Sequence, residues 1–191
     1  CVVAGNNRQV AVLMDLQGPK IRIGRFRDGP IELHAADPFA LDVACPLDGG
    51  DRLRVGTTYP ELVGDVHPGD TLLLDDGAIE LRVDSVAGGR IDCRVVVGGK
   101  LSNNKGINKK GGGLSAPALT EKDKDDIRFA AEIGADYLAV SFVRNGDDIR
   151  LARELFQEAG GKGGIVAKIE RAEALLAVDD IIDAADVIMV A

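Results

Sequence analysis

ALTEKDKDDIRFAAEIGADYLAVSF, residues 118–142, carries one complete helix-then-strand unit. Thr120 and Asp123 form a Thr-x-x-Asp capping signature, in which each side chain can accept from a backbone N–H that the first helical turn leaves unpaired. Ile127, Ala130 and Ala131 then recur at helical spacing, and the apolar run Tyr137 to Phe142 predicts a fully buried strand. The unit repeats downstream. Asn145 can cap a helix carrying Leu151, Leu155 and Ala159, GIVAKIE (164–170) reads as the next strand, a helix with Leu175, Leu176, Ile181 and Ile182 follows, and DVIMVA (186–191) closes the series. Such strict alternation predicts an α/β fold, either an open parallel sheet or a (β/α)8 barrel.

Upstream, the apolar stretch Val10 to Leu16 reads as a further strand of this α/β part, and the chain changes direction at Gly18-Pro19. From Arg52 to Val97 the period drops to two, with Ile79, Leu81 and Val83 alternating against Glu80, Arg82 and Asp84. Turn chemistry agrees: His67-Pro68-Gly69-Asp70 suits a type II turn, and Asp76-Gly77 and Gly88-Gly89 suit hairpins. Several antiparallel strands in a small barrel or sandwich are expected. LSNNKGINKKGGGLSAPALT (101–120) reads as an irregular return path to a second proline joint at Pro117. The expected organisation is therefore residues 1–19 and 118–191 as a partial α/β barrel, with residues 20–117 inserted as an all-β lid domain.

Composition limits the alternatives. With 46% hydrophobic residues the chain can bury a sizeable core, while the net charge of −8 and 4% aromatic content argue against an extended nucleic-acid or anionic-membrane surface. Runs such as Val187 to Ala191 are far shorter than the ~20 residues a membrane helix needs, and a cytoplasmic location is the default expectation. Cys1, Cys45, Cys93, His34 and His67 lack metal-site or triad spacing and read as structural. The start without methionine and the stop inside DVIMVA predict a piece of a longer protein.

The chemistry gathers at strand ends. Lys168 and Glu170, two residues apart on one strand, point to the same side above Val166. Ser141 and Arg144 end the preceding strand, and Asp15 ends the first. Carboxylate, ammonium and hydroxyl groups from separate strands would meet at one rim, an arrangement suited to a metal and an anionic substrate.

MDLQGPKIR (14–22), LLLDDG (72–77), SNNKGIN (102–108), ALTEKDKDDI (118–127), AVSFVR (139–144), AKIERAEA (167–174) and AADVIMVA (184–191) together resemble the pyruvate kinase family, in its bacterial form. The resemblance implies a TIM-type catalytic barrel with a mobile lid, joining phosphoenolpyruvate and ADP to give pyruvate and ATP, in a full-length homotetramer. It implies that Lys168 binds the phosphoryl group and acts as the catalytic cation, that Glu170 is a ligand of Mg2+ (or Mn2+), and that Arg22 and Lys105 contact nucleotide phosphates. Asp15 and the carbonyl of Leu16 match a monovalent-cation position. Members that need potassium have glutamate where this chain has Lys20, so Lys20 is expected to stand in for the ion, and K+ to be dispensable. The family's upstream Arg and Asn-x-Ser groups, and the R-G-D segment with the second magnesium ligand, match no part of these 191 residues. Two rivals are another enolate-handling, metal-dependent barrel enzyme and a non-catalytic binding module built on the β-domain alone.

Overall fold

A computed structural model describes residues 10–190 and divides the chain into two units, one of residues 1–19 with 117–191 and one of residues 20–116. Cys1 and Ala191 lie outside the described residues. The first unit opens with strand β1 (Leu13–Asp15), after which the chain enters the second unit at Lys20.

The second unit holds strands β2 (Ile31–Leu33), β3 (Pro38–Asp42) and β4 (Arg54–Val55), a four-residue helix α1 (Leu62–Asp65), then β5 (Thr71–Leu74), β6 (Ile79–Ala87), β7 (Arg90–Val97), β8 (Gly99–Leu101) and β9 (Ile107–Lys109). They form a six-stranded sheet in the order β4-β3-β7-β6-β5-β9 and a two-stranded sheet of β2 with β8. Alternation decides which side of β6 is buried: Ile79, Leu81 and Val83 enter the core beside Leu41, Leu72 and Ile91, while Arg82 and Asp84 face water. The turns follow the local chemistry. Gly69, at φ 96°, completes the His67–Asp70 turn, closed by Asp70 N–H donating to the His67 carbonyl at 3.0 Å. Gly88 and Gly89, at φ 58° and 81°, join β6 to β7, the double left-handed turn that matches strand twist. One pair departs from the antiparallel expectation: β3 and β4 run parallel, because the long connection between them carries the chain back to the strand's starting end.

The return path is more ordered than its composition implies. Residues of LSNNKGINKKGGG supply the end of β8 and all of β9, and Leu101, Ile107 and Leu114 are buried in the β core. Lys109 pins this segment, its Nζ lying 2.9 Å from Asp70 Oδ2 and donating to the Asp65 carbonyl at 2.9 Å. Ala116 still packs in the β core, whereas Leu119 packs in the other. Pro117 is thus the joint itself, grouped with the α/β unit.

That unit continues with α2 (Glu121–Glu132), β10 (Tyr137–Val140), α3 (Gly146–Glu158), β11 (Gly164–Ile169), α4 (Ala172–Leu176), α5 (Val178–Ala184) and β12 (Val187–Val190). Its four strands are all parallel, in the order β1-β10-β11-β12. Asn145 caps α3 by accepting from Asp148 N–H, and Thr120 with Asp123 forms the full capping box of α2. Three expectations shift. Strand β10 ends at Val140 rather than Phe142, because Phe142 takes a left-handed backbone at φ 57°. Helix α3 buries Ile149, Ala152 and Phe156 while Leu151 stays exposed; both stripes have helical spacing, and only docking selects between them. The last helix is two, broken at Ala177, so Ile181 is buried but Leu176 is 93% exposed.

Asp123 does more than cap. It is fully buried, and its carboxylate accepts from Thr120 N–H at 2.8 Å and from Gly18 N–H at 3.0 Å. Asp123→Ala would leave these buried donors unpaired, so it is expected to cost about 3 kcal/mol of stability. Thermal unfolding of the wild type, Asp123→Ala and Asp123→Asn checks this: the Asn variant keeps one acceptor and should recover part of the loss.

Candidate active site

Because all strands of the α/β unit are parallel, their carboxyl ends share one edge, and the residues that finish β1, β10 and β11 become neighbours there. Register fixes the match: Asp15 lies opposite Ala139, and Ala139 opposite Val166. The side chains of Asp15, Ser141, Lys168 and Glu170 meet above that row.

Lys168 is the centre. Its Nζ donates to Asp15 Oδ1 and Oδ2, both at 3.2 Å, and to Ser141 Oγ at 2.9 Å, and it lies 3.3 Å from Glu170 Oε1. The Lys168 side chain is 14% exposed, against 55% for Asp15 and 18% for Glu170. Burial alone pulls the ammonium towards neutrality, but Asp15 and Glu170 together outweigh it and hold Lys168 above the ordinary lysine value. It is a fixed cation across the neutral range. A charge held this way costs little further reorganisation when negative charge develops beside it.

Glu170 is oriented from two sides, by Lys168 and by the Phe142 N–H, which donates to Oε2 at 3.0 Å. The left-handed backbone of Phe142 is unusual for a bulky residue. It coincides with Gly18, itself at φ 64°, where a Cβ would come within 2.8 Å of the Phe142 ring. The Arg171 guanidinium lies 5.9 Å from the ring centroid. Neither Phe142 nor Gly18 stands out in the sequence as a support for Glu170. The glycine before Pro19 is the only hint, since nothing in Ser-Phe announces a positive φ.

The other expected residues are distributed differently. The Leu16 carbonyl accepts from Ser141 Oγ at 2.8 Å. Arg144, expected at the rim, is committed elsewhere: just ahead of the α3 N-cap, it forms a bidentate pair with Asp148 of the first helical turn at 3.0 and 2.7 Å, and its own N–H donates to Asp148 Oδ2 at 2.9 Å. In the β unit, Arg22 and Lys105 are brought together, since Arg22 pairs with Gly106 and its Nη1 donates to the Asn104 carbonyl at 2.8 Å. The Lys105 Nζ lies 2.7 Å from Asp75 Oδ1. Lys20 is exposed, and its carbonyl accepts from Thr58 Oγ1 at 2.7 Å.

Among the described residues no group of three or more His, Cys, Asp or Glu side chains is placed to hold a metal ion. Glu170 fits a magnesium site of a particular kind. Its carboxylate is already oriented, only partly exposed and shares the Lys168 ammonium with Asp15, and magnesium is commonly held by one or two carboxylates with its remaining ligands from substrate and water. The thiols Cys45 and Cys93 are buried within the β unit, and burial pushes the Cys93 thiol up to about 12. No helix is long and apolar enough to cross a membrane among the described residues.

The family profile described as "Pyruvate kinase, barrel domain" matches residues 2–191. The chain belongs to the pyruvate kinase family. It is 56% identical over 193 residues to pyruvate kinase II of Salmonella typhimurium, covering 100% of this chain and 40% of that protein. It is 58% identical over 187 residues to a pyruvate kinase of Haemophilus influenzae, covering 96% and 39%, and 44% identical over 184 residues to one from Corynebacterium efficiens, covering 96% and 38%. The chain therefore spans about two fifths of the length of these pyruvate kinases. The match runs through both units, which a binding module built on the β unit alone does not account for.

Proposed function

We propose that this chain supplies the lysine-centred half of the active site of an enzyme that transfers the phosphoryl group of phosphoenolpyruvate to ADP. The observation that carries the reading is the Lys168 ammonium, partly buried between Asp15 and Glu170 at the carboxyl edge of a parallel sheet. In (β/α)8 enzymes that edge is where the chemistry sits. The four-stranded sheet corresponds to part of such a barrel, and residues 20–116 to the family's lid domain.

The bond between phosphorus and the enol oxygen breaks as a β-phosphate oxygen of ADP bonds to phosphorus. Negative charge then collects on the departing enolate and on the oxygens of the transferring group, and Lys168 meets it with a charge already in position. Protonation of the enolate carbon gives pyruvate. Glu170 would hold Mg2+ or Mn2+, which when bound neutralises phosphoryl oxygens and helps align them. Arg22 and Lys105, neighbours in the β unit, would engage the nucleotide phosphates, with Lys105 exchanging Asp75 for a phosphate oxygen. We assign Asp15 and the Leu16 carbonyl to the monovalent-cation position, with Lys20 as the substitute for potassium.

The deciding test is turnover of phosphoenolpyruvate and ADP by the full-length protein carrying this chain, followed as pyruvate formation with magnesium present. Absence of pyruvate would overturn the reading. A polypeptide limited to residues 1–191 is expected to give none above a buffer blank. Its sheet has four strands among the described residues, and its carboxylates fall short of a complete metal site, so an in-line transfer cannot be aligned. Measurable turnover by that polypeptide would show that these residues suffice.

A further inference from the structure

We propose that Ser141 is a positioning residue that aims the Lys168 ammonium; this rests on the reading of Lys168 as the catalytic cation. Strand β10 lies between β1 and β11, so the residue following it can reach the chain ends of both neighbours. Ser141 occupies that place, is 3% exposed, and touches one partner on each side. Towards β1 its Oγ lies 2.8 Å from the Leu16 carbonyl; towards β11 it lies 2.9 Å from Lys168 Nζ.

The direction of these bonds follows from proton counting. A serine hydroxyl has one proton, and an ammonium has three and no lone pair. Ser141 must therefore accept from Lys168 and spend its proton elsewhere. Asp15 Oδ1, at 3.5 Å, is a far poorer acceptor than the Leu16 carbonyl at 2.8 Å. The hydroxyl proton goes to Leu16, and a lone pair faces Lys168 in a fixed direction.

Lys168 thereby has a partner for each of its protons: Asp15, Ser141 and Glu170. Two of these are carboxylates, and either would draw the ammonium towards itself. Only Ser141 is a neutral acceptor. It holds the cation between the acids without adding negative charge, so the ammonium remains available to an oxygen that becomes charged during transfer. Removing the hydroxyl lets Lys168 collapse onto the carboxylates. The loss should fall on the chemical step and spare substrate capture, because the net charge of the site does not change.

The experiment uses the full-length enzyme and three proteins: wild type, Ser141→Ala and Ser141→Cys. Cysteine fills the serine position with a slightly larger sulfur but is a weak acceptor and donor, so it removes the hydrogen bonding without leaving a cavity. Both variants are expected to lose roughly tenfold in kcat, with KM for phosphoenolpyruvate changed less than about threefold. The thermal midpoint of Ser141→Cys should stay close to that of the wild type. If Ser141→Ala fails to fold, Ser141→Cys alone decides. A Ser141→Cys enzyme with wild-type kcat, or one that raises KM at unchanged kcat, overturns the proposal. A wild type without turnover would instead overturn the functional reading itself.

Discussion

Replacing Lys168 by Met in the full-length enzyme is expected to lower kcat roughly 10³- to 10⁵-fold, the range seen when a cation that meets charge on a transferring phosphoryl group is lost. The methionine side chain is unbranched and only one atom shorter, so it keeps most of the packing and the main loss is the charge. KM for phosphoenolpyruvate should move by less than about tenfold, because the ammonium contributes most when the phosphoryl departs. The variant also leaves Asp15 and Glu170 facing each other without the cation that now separates them. Some local destabilisation follows, so the thermal midpoint must be measured beside the kinetics. Retained kcat with a raised KM would reduce Lys168 to a binding residue.

If Lys20 stands in for potassium, as proposed above, Lys20→Glu is expected to make the full-length enzyme slow until potassium is added. Under that proposal the tethered ammonium would lie close to the ion position, and two like charges about 6 Å apart at an effective dielectric near 20 repel by about 3 kcal/mol. That weakens ion binding roughly a hundredfold. On this assignment the ammonium and the ion would exclude each other. The tethered charge also avoids the entropy of capturing a free ion. Wild type and variant are compared in tetramethylammonium buffer free of sodium and potassium, followed by a potassium titration. Strong activation of the wild type, with no added dependence in the variant, would show Lys20 to be ordinary surface.

The features legible in the sequence were those in which a few adjacent residues carry the whole physical cause. The capping box of Thr120 and Asp123, the Asn145 cap, the Gly88-Gly89 hairpin and the inside-outside alternation along Ile79 to Asp84 all depend on local backbone geometry. The pairing of Lys168 with Glu170 on one face is likewise set by the two-residue period of a strand. The resemblance of the surrounding segments implies the chemistry proposed for that pair.

Tertiary structure decided whatever depended on a choice between equally good local options. Leu151 and Ile149 both fit a helical stripe, and docking of α3 buried only the second. Arg144 could have faced the rim, but Asp148 one turn along captured it. The Asn-, Lys- and Gly-rich return path had the composition of a loop, yet a free edge on β5 and acids at Asp65, Asp70 and Asp75 gave it order. The left-handed Phe142 became visible only with Gly18 beside it and Glu170 above it. By itself the sequence determined that Asp15, Ser141, Lys168 and Glu170 lie at or just past the ends of neighbouring strands, because strand ends and periodicity are local. Their hydrogen-bond partners, and with them the aim of Lys168, were decided across strands, by contacts between residues 27 to 153 positions apart.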